Sequence, residues 1–328
     1  MVQDLITLCK QRGSKVYIQT HNFPDPDAIG TAFGLQKLLE NFGIESKLCY
    51  AGKIDQLSTS RMLDEFDIRI YAYDMIREEM KETDPIICVD SQKNGGNIQD
   101  FIGDEIACVD HHPIFKEEKY LYQDIRSVGA CATLIAQYYK ELDIEPSENV
   151  ASALMYGLKM DTMQFTRGVT ELDIAALRFL FPYHNQAKIT RLEQNTMAFR
   201  DLKAYGAAIE NIQVFERFGF TVVPFACPDG LVATLADFIL SLDEVEVVVV
   251  ISVREDGLKL SVRSENGKVH AGYLIRDALA GIGNAGGHAT MAGGFIPQKF
   301  LDTLGAYYEN VIRDKFMNIL EKMGYLRG

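Results

Sequence analysis

The sequence predicts an α/β protein in two domains. An N-terminal doubly wound, mainly parallel sheet domain is followed by a smaller C-terminal α+β domain. Three observations carry that expectation. Short apolar runs alternate with amphipathic stretches through the first half of the chain. Beyond residue 205 the pattern shifts to a long β-prone run and a hairpin signal. A chain of 328 residues, 47% hydrophobic and 24% charged, is globular in composition and long enough to favour two cores over one.

Taken in order, Val16 to Thr20 is a short β-prone run. Ile29, Phe33, Leu35 and Leu39 follow at helical spacing, with Gly43 as a stop. Ile44 to Tyr50 reads as the next strand. Pro85 to Val89 and Ile106 to Val109 are apolar runs of a length suited to buried parallel strands. Leu134, Ile135, Tyr138 and Leu142 place a helix over Cys131 to Leu142. Residues 171–205 read as helical, with Leu172, Ala176 and Phe179 before Pro182. They close the first domain and lead to the second. There, Val245 to Val253 is strongly β-prone and Glu255-Asp256-Gly257 signals a hairpin. Leu258, Leu260 and Val262 alternate on the return strand, which puts Lys259, Ser261 and Arg263 on its opposite face. A helix-like run around Tyr273 to Ala280, a glycine-rich loop and a final amphipathic helix complete the pattern. The expected boundaries are residues 1–185 for the first domain, 186–207 for a helical connector and 208–328 for the second.

Composition removes several function classes. No apolar run of membrane-spanning length occurs, and Met1 to Lys10 lacks a cleavable signal pattern, so a cytoplasmic protein is expected. The six cysteines form no C-x-x-C pair; Cys88 and Cys108 sit in apolar runs, as reduced thiols in a core do. A net charge of −13 argues against coating long nucleic acid, which needs a basic face. Positive charge for an anionic substrate must then be concentrated locally, by metals or a few arginines.

The placement of the carboxylates is the most informative feature. His21, Asp25 and Asp27 follow the first strand, Asp90 ends Pro85–Val89, and Asp110 ends Ile106–Val109. Asp161-Thr162 follows the apolar run Ala151–Met160. In a parallel sheet the carboxyl ends of the strands share one edge, where ligands bind. A single aspartate at a strand end is ordinarily a cap or turn residue, and Asp25 or Asp27 alone would be read as capping the helix that starts near Ala28. Several on one edge repel each other unless cations stand between them. Histidines mixed with carboxylates suit Mn²⁺, with Mg²⁺, Co²⁺ or Fe²⁺ as alternatives, better than they suit structural zinc. The ligands suffice for two ions, and two ions about 4 Å apart are a standard device for phosphate-ester hydrolysis.

These motifs resemble those of the DHH phosphoesterases. His21-Asn-Phe-Pro-Asp25-Pro-Asp27-Ala-Ile-Gly30 is similar to the first motif, Val89-Asp90 to the second, and Asp110-His111-His112 to the signature that names the family. Gly157-Leu-Lys-Met-Asp161-Thr162 is similar to the fourth. Gly286-Gly287-His288, followed by Ala292-Gly293-Gly294, resembles the glycine-rich motif of the DHH-associated C-terminal domain. Thr31 departs from the serine many members carry there, but keeps the hydroxyl.

The resemblance implies two divalent ions, Mn²⁺ foremost. His21 and Asp25 would hold one, Asp27, His111 and Asp161 the other, and Asp90 would bridge them. Asp110 would orient a histidine, and His112 would act as general acid or hydrogen-bond donor at the leaving group or a phosphate oxygen. Four carboxylates, two divalent ions and a hydroxide leave such a centre at about −1, a poor host for a phosphate dianion. The second domain should therefore bind substrate through Arg263, Gly286, Gly287 and His288, with the active site in the cleft between the domains. The glycines would let backbone N–H groups approach an anion. A plain tight turn is the alternative reading of Gly-Gly-His.

Other residues carry less. His184 and His270 read as surface or structural. Arg126 could touch a phosphate or simply be exposed, and Phe165 and Phe295 could support a base but suit a core. The function implied resembles the nano-RNase/pAp-phosphatase branch: hydrolysis of phosphate esters in short oligoribonucleotides, pAp or dinucleotides, with no long nucleic acid or membrane as partner and room for a homodimer. The alternatives are an inorganic pyrophosphatase or exopolyphosphatase, a processive exonuclease of the RecJ type, and a non-catalytic nucleotide sensor. An Arg-Lys-Lys-type motif of the pyrophosphatases is not found, the chain is short and acidic for a processive exonuclease, and a sensor would not need a full ligand set.

Overall fold

The computed structural model describes residues 2–13, 15–54, 57–114, 116–194, 197–305 and 307–326. The chain divides into two compact units, Met1–Thr196 and Met197–Gly328.

In unit 1 the elements run α1 (Val2–Arg12), β1 (Lys15–Gln19), α2 (Pro26–Glu40), β2 (Glu45–Tyr50), α3 (Leu57–Phe66), β3 (Ile70–Ala72), the single turn α4 (Tyr73–Ile76), β4 (Pro85–Val89), β5 (Asp104–Asp110), β6 (Tyr122–Ile125), α5 (Cys131–Glu141), α6 (Glu148–Asp161), α7 (Glu171–Leu180) and α8 (Gln186–Glu193). The strands form one sheet in the order β3-β2-β1-β4-β5-β6, and every pairing is parallel. The order reverses between β1 and β4, the position at which open α/β sheets bind ligands. The two faces carry unequal layers. Val16, Ile18, Leu48, Ile87, Val89 and Val109 face a large core shared with α1, α2, α5 and α6, whereas Tyr17, Cys49, Ile86 and Cys88 face a thin layer of Ile76, Met80 and Phe101.

Helices α2 and α6 touch almost backbone to backbone. A Cβ at Gly30 would lie 2.7 Å from the Ala153 carbonyl oxygen, and one at Gly157 would lie 2.9 Å from the Asp27 Cα. These two glycines are what permits the approach, and the approach brings Asp27 on α2 and Asp161 at the end of α6 to the same edge.

Unit 2 comprises α9 (Leu202–Glu210), β7 (Gln213–Phe215), β8 (Phe218–Val223), α10 (Asp229–Leu240), β9 (Val247–Arg254), β10 (Gly257–Ser264), α11 (Ala271–Ala278), β11 (Asn284–Gly287), β12 (Met291–Pro297), α12 (Gln298–Leu304) and α13 (Tyr308–Lys322). Its mixed sheet runs β11-β12-β10-β9-β8-β7, with only β8 and β9 parallel. Leu258, Leu260 and Val262 lie in the core with α11 and α13; α10 covers Val248 and Val250 on the other face. The expected glycine-rich loop is instead a hairpin. Gly286 and Gly287 are strand residues paired with Gly293 and Ala292, because facing glycines let two strands run close without side chains. The stretch 186–207 contributes α8, which packs on α3 and α6 in unit 1, and the start of α9, which packs on β8 in unit 2. Among the described residues no helix is long and apolar enough to cross a membrane.

Candidate metal centre

Each strand that ends at the switch point of unit 1 delivers a side chain to it. After β1, the His21 Nδ1 lies 2.8 Å from the Asn22 carbonyl oxygen. A carbonyl only accepts, so Nδ1 carries the proton and Nε2 is turned inward, 3.5 Å from Asp90 Oδ2 and 3.9 Å from Asp25 Oδ1. Asp25 fills both of its sequence roles. It caps α2, accepting from the Asp27 and Ala28 N–H groups at 3.0 Å, and it also belongs to the cluster. After β5, His111 repeats the His21 arrangement. Its Nδ1 lies 3.0 Å from the Val128 carbonyl oxygen, and its Nε2 faces Asp90 Oδ1 at 3.2 Å and Asp161 Oδ2 at 3.4 Å.

Asp27 is fully buried, and its carboxylate accepts from the N–H groups of Cys131 (2.6 Å) and Ala132 (3.0 Å) at the start of α5. The N-cap of that helix, Ala130, offers no side chain, so Asp27 caps α5 from 104 residues away. Asp90 follows β4 in left-handed backbone at φ 54° and is buried; its two oxygens face His111 Nε2 at 3.2 Å and His21 Nε2 at 3.5 Å. Asp110, also buried, is saturated. Oδ1 accepts from the His111 N–H (2.8 Å) and from His112 Nδ1 (2.8 Å), and Oδ2 accepts from Gln92 Nε2 (2.7 Å). Gln92 also donates to the His112 carbonyl at 3.1 Å, so it grips the Asp110–His112 pair from behind.

Three residues that close α6 into a turn, Met163, Gln164 and Phe165, all have left-handed φ values of 47°, 57° and 65°. Backbone of this kind is costly for such side chains and gathers at functional sites. The turn leads Arg167 back to Asp161, where its Nη2 donates to the carbonyl oxygen at 2.9 Å and stands 3.7 Å from Oδ1. Gln92 and Arg167 were not singled out from sequence. A glutamine two residues beyond Asp90 and an arginine six beyond Asp161 have no spacing signature, since their partners are backbone carbonyls and a carboxylate on another strand.

Two donor sets result. His21, Asp25 and Asp90 offer ligand atoms within 4.8 Å of one another, and so do Asp27, His111 and Asp161. A third set, Asp90, Asp110, His111 and His112, overlaps both through Asp90 and His111. Electrostatics shows what the place lacks. Burial works against charge on His111, but the hydrogen bond and charge of Asp90, with Asp27 and Asp161, push it up to about 11. Burial likewise opposes charge on His21, yet Asp25 and Asp90 raise it well above the usual imidazole range. Burial and the charges of Asp90 and Asp161 hold Asp27 well above the ordinary carboxylate range, and Asp161 rises to about 6, through burial first. For Asp90, burial is outweighed by His111 and His21, which hold it low. Two inward imidazole nitrogens and four carboxylates meet here; the carboxylates draw protons onto the imidazoles, and divalent ions can take the place of those protons, which fits the His-plus-carboxylate chemistry.

In unit 2, Arg263 is committed to Asp237 of α10, with Nε 2.5 Å from Oδ1; Nη1 reaches Ser261 Oγ at 3.1 Å. Lys259 and Arg254 both pair with Asp229. By register, Ser261, Gly293 and Gly286 lie opposite one another, so Gly286 shares a face with Arg263, while Gly287 lies opposite Ala292 and Val262 on the core face. A Cβ at Gly286 would meet nothing within 4 Å, whereas one at Gly287 would lie 2.4 Å from the Ala292 Cα. His288 is exposed in the hairpin turn, and its carbonyl accepts from Gly272 N–H at the start of α11. Arg126 is held bidentately by Asp124, His270 caps α11 and stacks on Tyr273, and His184 bonds the Phe181 carbonyl.

Residues 15–158 match the model of the DHH family N-terminal domain, and residues 217–314 match the DHHA1 domain. The chain is 27% identical over 319 residues to an uncharacterized protein of Methanocaldococcus jannaschii, covering 95% of this chain and 65% of that protein. It is 30% identical over 171 residues to a probable manganese-dependent inorganic pyrophosphatase of Enterococcus faecalis, covering 51% of this chain and 54% of that one. The chain thus spans about two thirds of the archaeal relative and about half of the pyrophosphatase. Among solved structures, an exopolyphosphatase-related protein from Bacteroides fragilis superposes with a TM-score of 0.73 at 22% identity, covering 94% of this chain and 97% of that one. RecJ from Thermus thermophilus in complex with Mn²⁺ gives 0.50 at 14% identity, covering 96% of this chain and 54% of that one. At these identities the likeness is one of fold.

Proposed function

This chain belongs to the DHH family, and from that premise we propose that it is a two-metal phosphoesterase acting on small nucleotides or very short oligonucleotides. The observation that carries the reading is that two His–carboxylate sets, His21–Asp25–Asp90 and Asp27–His111–Asp161, lie side by side, with Asp90 Oδ1 only 3.2 Å from His111 Nε2. His21, Asp25 and Asp90 would hold one ion, and Asp27, His111 and Asp161 the second, with Asp90 shared. Manganese is the favoured metal, on the donor chemistry and on the name of the pyrophosphatase relative. When bound, two such ions acidify a water and bind phosphate oxygens.

The remaining steps belong to the protein. The Asn22 and Val128 carbonyls fix the tautomer of His21 and His111, so that each presents Nε2. Asp110 holds His112 through Nδ1, which leaves Nε2 to hydrogen-bond or protonate a leaving oxygen. Burial alone would depress His112, but Asp110 and Asp90 raise it, and so favour its proton-bearing form. In unit 2, Arg263, the bare backbone at Gly286 and Gly287, and His288 would bind substrate phosphate, Gly286 on the same sheet face as Arg263.

A net charge of −13 supports short substrates over long nucleic acid. The pyrophosphatase relative favours a second reading, hydrolysis of inorganic pyrophosphate. A panel of pAp, dinucleotides, longer RNA, a cyclic dinucleotide and pyrophosphate, assayed with Mn²⁺, separates them. Turnover of pyrophosphate alone would install the second reading, and activity rising with RNA length would remove both.

A further inference from the structure

We propose that Phe23 is a stacking platform for a nucleobase at the rim of the metal centre, so that the substrate of this site bears a base. The inference rests on the phosphoesterase reading above. Phe23 lies between His21 and Asp25, two residues from each. It is 61% exposed, and its backbone is left-handed at φ 58°. Burying a phenylalanine side chain stabilises a fold by about 1.5–3 kcal/mol, and left-handed backbone at a non-glycine residue costs on the order of 1–3 kcal/mol. Folding therefore gains little from this residue in this pose.

The pose is nonetheless held from several sides. The Phe23 N–H donates to the Ala51 carbonyl at 3.2 Å, the Asn22 N–H donates to the Asn97 carbonyl at 2.7 Å, and Asn22 Oδ1 accepts from the Gln99 N–H at 3.0 Å. One side of the ring rests on Gly52, where a Cβ would come within 2.9 Å of it and where φ is +80°. The backbone is thus held, and the ring is supported by Gly52 on one side and largely exposed to solvent. Exposed aromatic faces bind nucleobases, which have π-faces of their own. A bare phosphate chain has nothing to lay on it, so the geometry favours a nucleotide over pyrophosphate.

The test uses the full chain with Ca²⁺ as a binding probe. A 5′-phosphorylated adenine dinucleotide and an abasic analogue with the same phosphates are titrated by calorimetry. Wild-type protein should prefer the base-bearing ligand. Phe23→Leu should cut that preference by about ten-fold, the effect of losing one aromatic–base stack, and Phe23→Tyr should restore it. A preference that survives Phe23→Leu overturns the proposal, as does an equal loss for both ligands with a lower Tm, which would make the ring a packing residue. Wild-type protein that hydrolyses phosphoesters yet ignores the base overturns this inference alone. Protein that binds neither ligand and hydrolyses no phosphoester overturns the phosphoesterase reading with it.

Discussion

The switch-point edge of unit 1 and the strand face of unit 2 treat charge in opposite ways. On the first, carboxylates outnumber cationic groups: the inward nitrogens of His21 and His111 meet Asp25, Asp27, Asp90 and Asp161. On the second, every cation named has its counter-charge, Arg263 with Asp237, and Lys259 and Arg254 with Asp229. The first face gathers carboxylates that its two histidines offset only in part, which suits added cations. The second is already neutralised within the protein. If Arg263 binds phosphate as proposed, the phosphate would have to compete with Asp237.

The largest test of that contrast is Asp90→Ala. Losing the residue proposed to bridge both ions should lower activity by roughly a thousand-fold, since metal ions contribute several kcal/mol to such reactions. Bound manganese should fall with it. The Tm in chelator should fall, because His21 and His111 lose the carboxylate that holds their charge. A well-folded variant with near-normal turnover would break the assignment.

Asp27→Ala, in the same cluster, should lose stability for a different reason. It leaves the first N–H groups of α5 without a partner in a buried place, so stability should fall by about 1–3 kcal/mol as well as metal being lost. Chemical denaturation in chelator reads that loss directly. An Asp27→Ala protein as stable in chelator as the unsubstituted chain would show that the carboxylate is not the cap of α5.

Gln92→Met keeps the volume and removes the donor that grips Asp110. Disturbing a residue that orients a site partner typically costs ten- to a hundred-fold, and kcat/KM should fall in that range with manganese content unchanged. Loss of metal would mean that Gln92 supports the ions rather than His112.

The smallest effect should come from Asp237→Asn, which releases Arg263. If Arg263 binds phosphate, KM should improve by a few-fold, the scale of an exposed ion pair, whereas Arg263→Ala should worsen kcat/KM by about ten- to a hundred-fold. Parallel losses in both variants would make the pair a structural tie between α10 and β10.

Much of unit 1 was legible because its signals are local. Strand β4 is an uninterrupted apolar run, β5 contains one at Ile106–Val109, and Asp90 and Asp110 stand where those runs stop. The edge strands β3 and β6 went unread, being short and half-exposed and therefore without an apolar pattern. Strand β11 was read as loop because Asn-Ala-Gly-Gly has no β-prone residue; its pairing with β12 makes it a strand. The helix α1, the strand β8 and the helix α10 were not placed at all, although their buried residues, Thr221 of β8 apart, are apolar.

The sequence by itself determined the two-domain α/β class, the residue types of the candidate site and the strand ends that carry them, because apolar periodicity and turn chemistry act over a few residues. Only the tertiary structure decided which of those residues meet. The parallel order β3-β2-β1-β4-β5-β6 opens the switch point beside β1 and β4; the contact of Gly30 and Gly157 sets α2 against α6; Asp27 caps a helix 104 residues away; and Arg263 turns to Asp237. Each is a contact between segments distant in sequence. Such contacts are chosen by close packing and by the need to give every buried polar group a partner, and those demands exist only once the chain has folded.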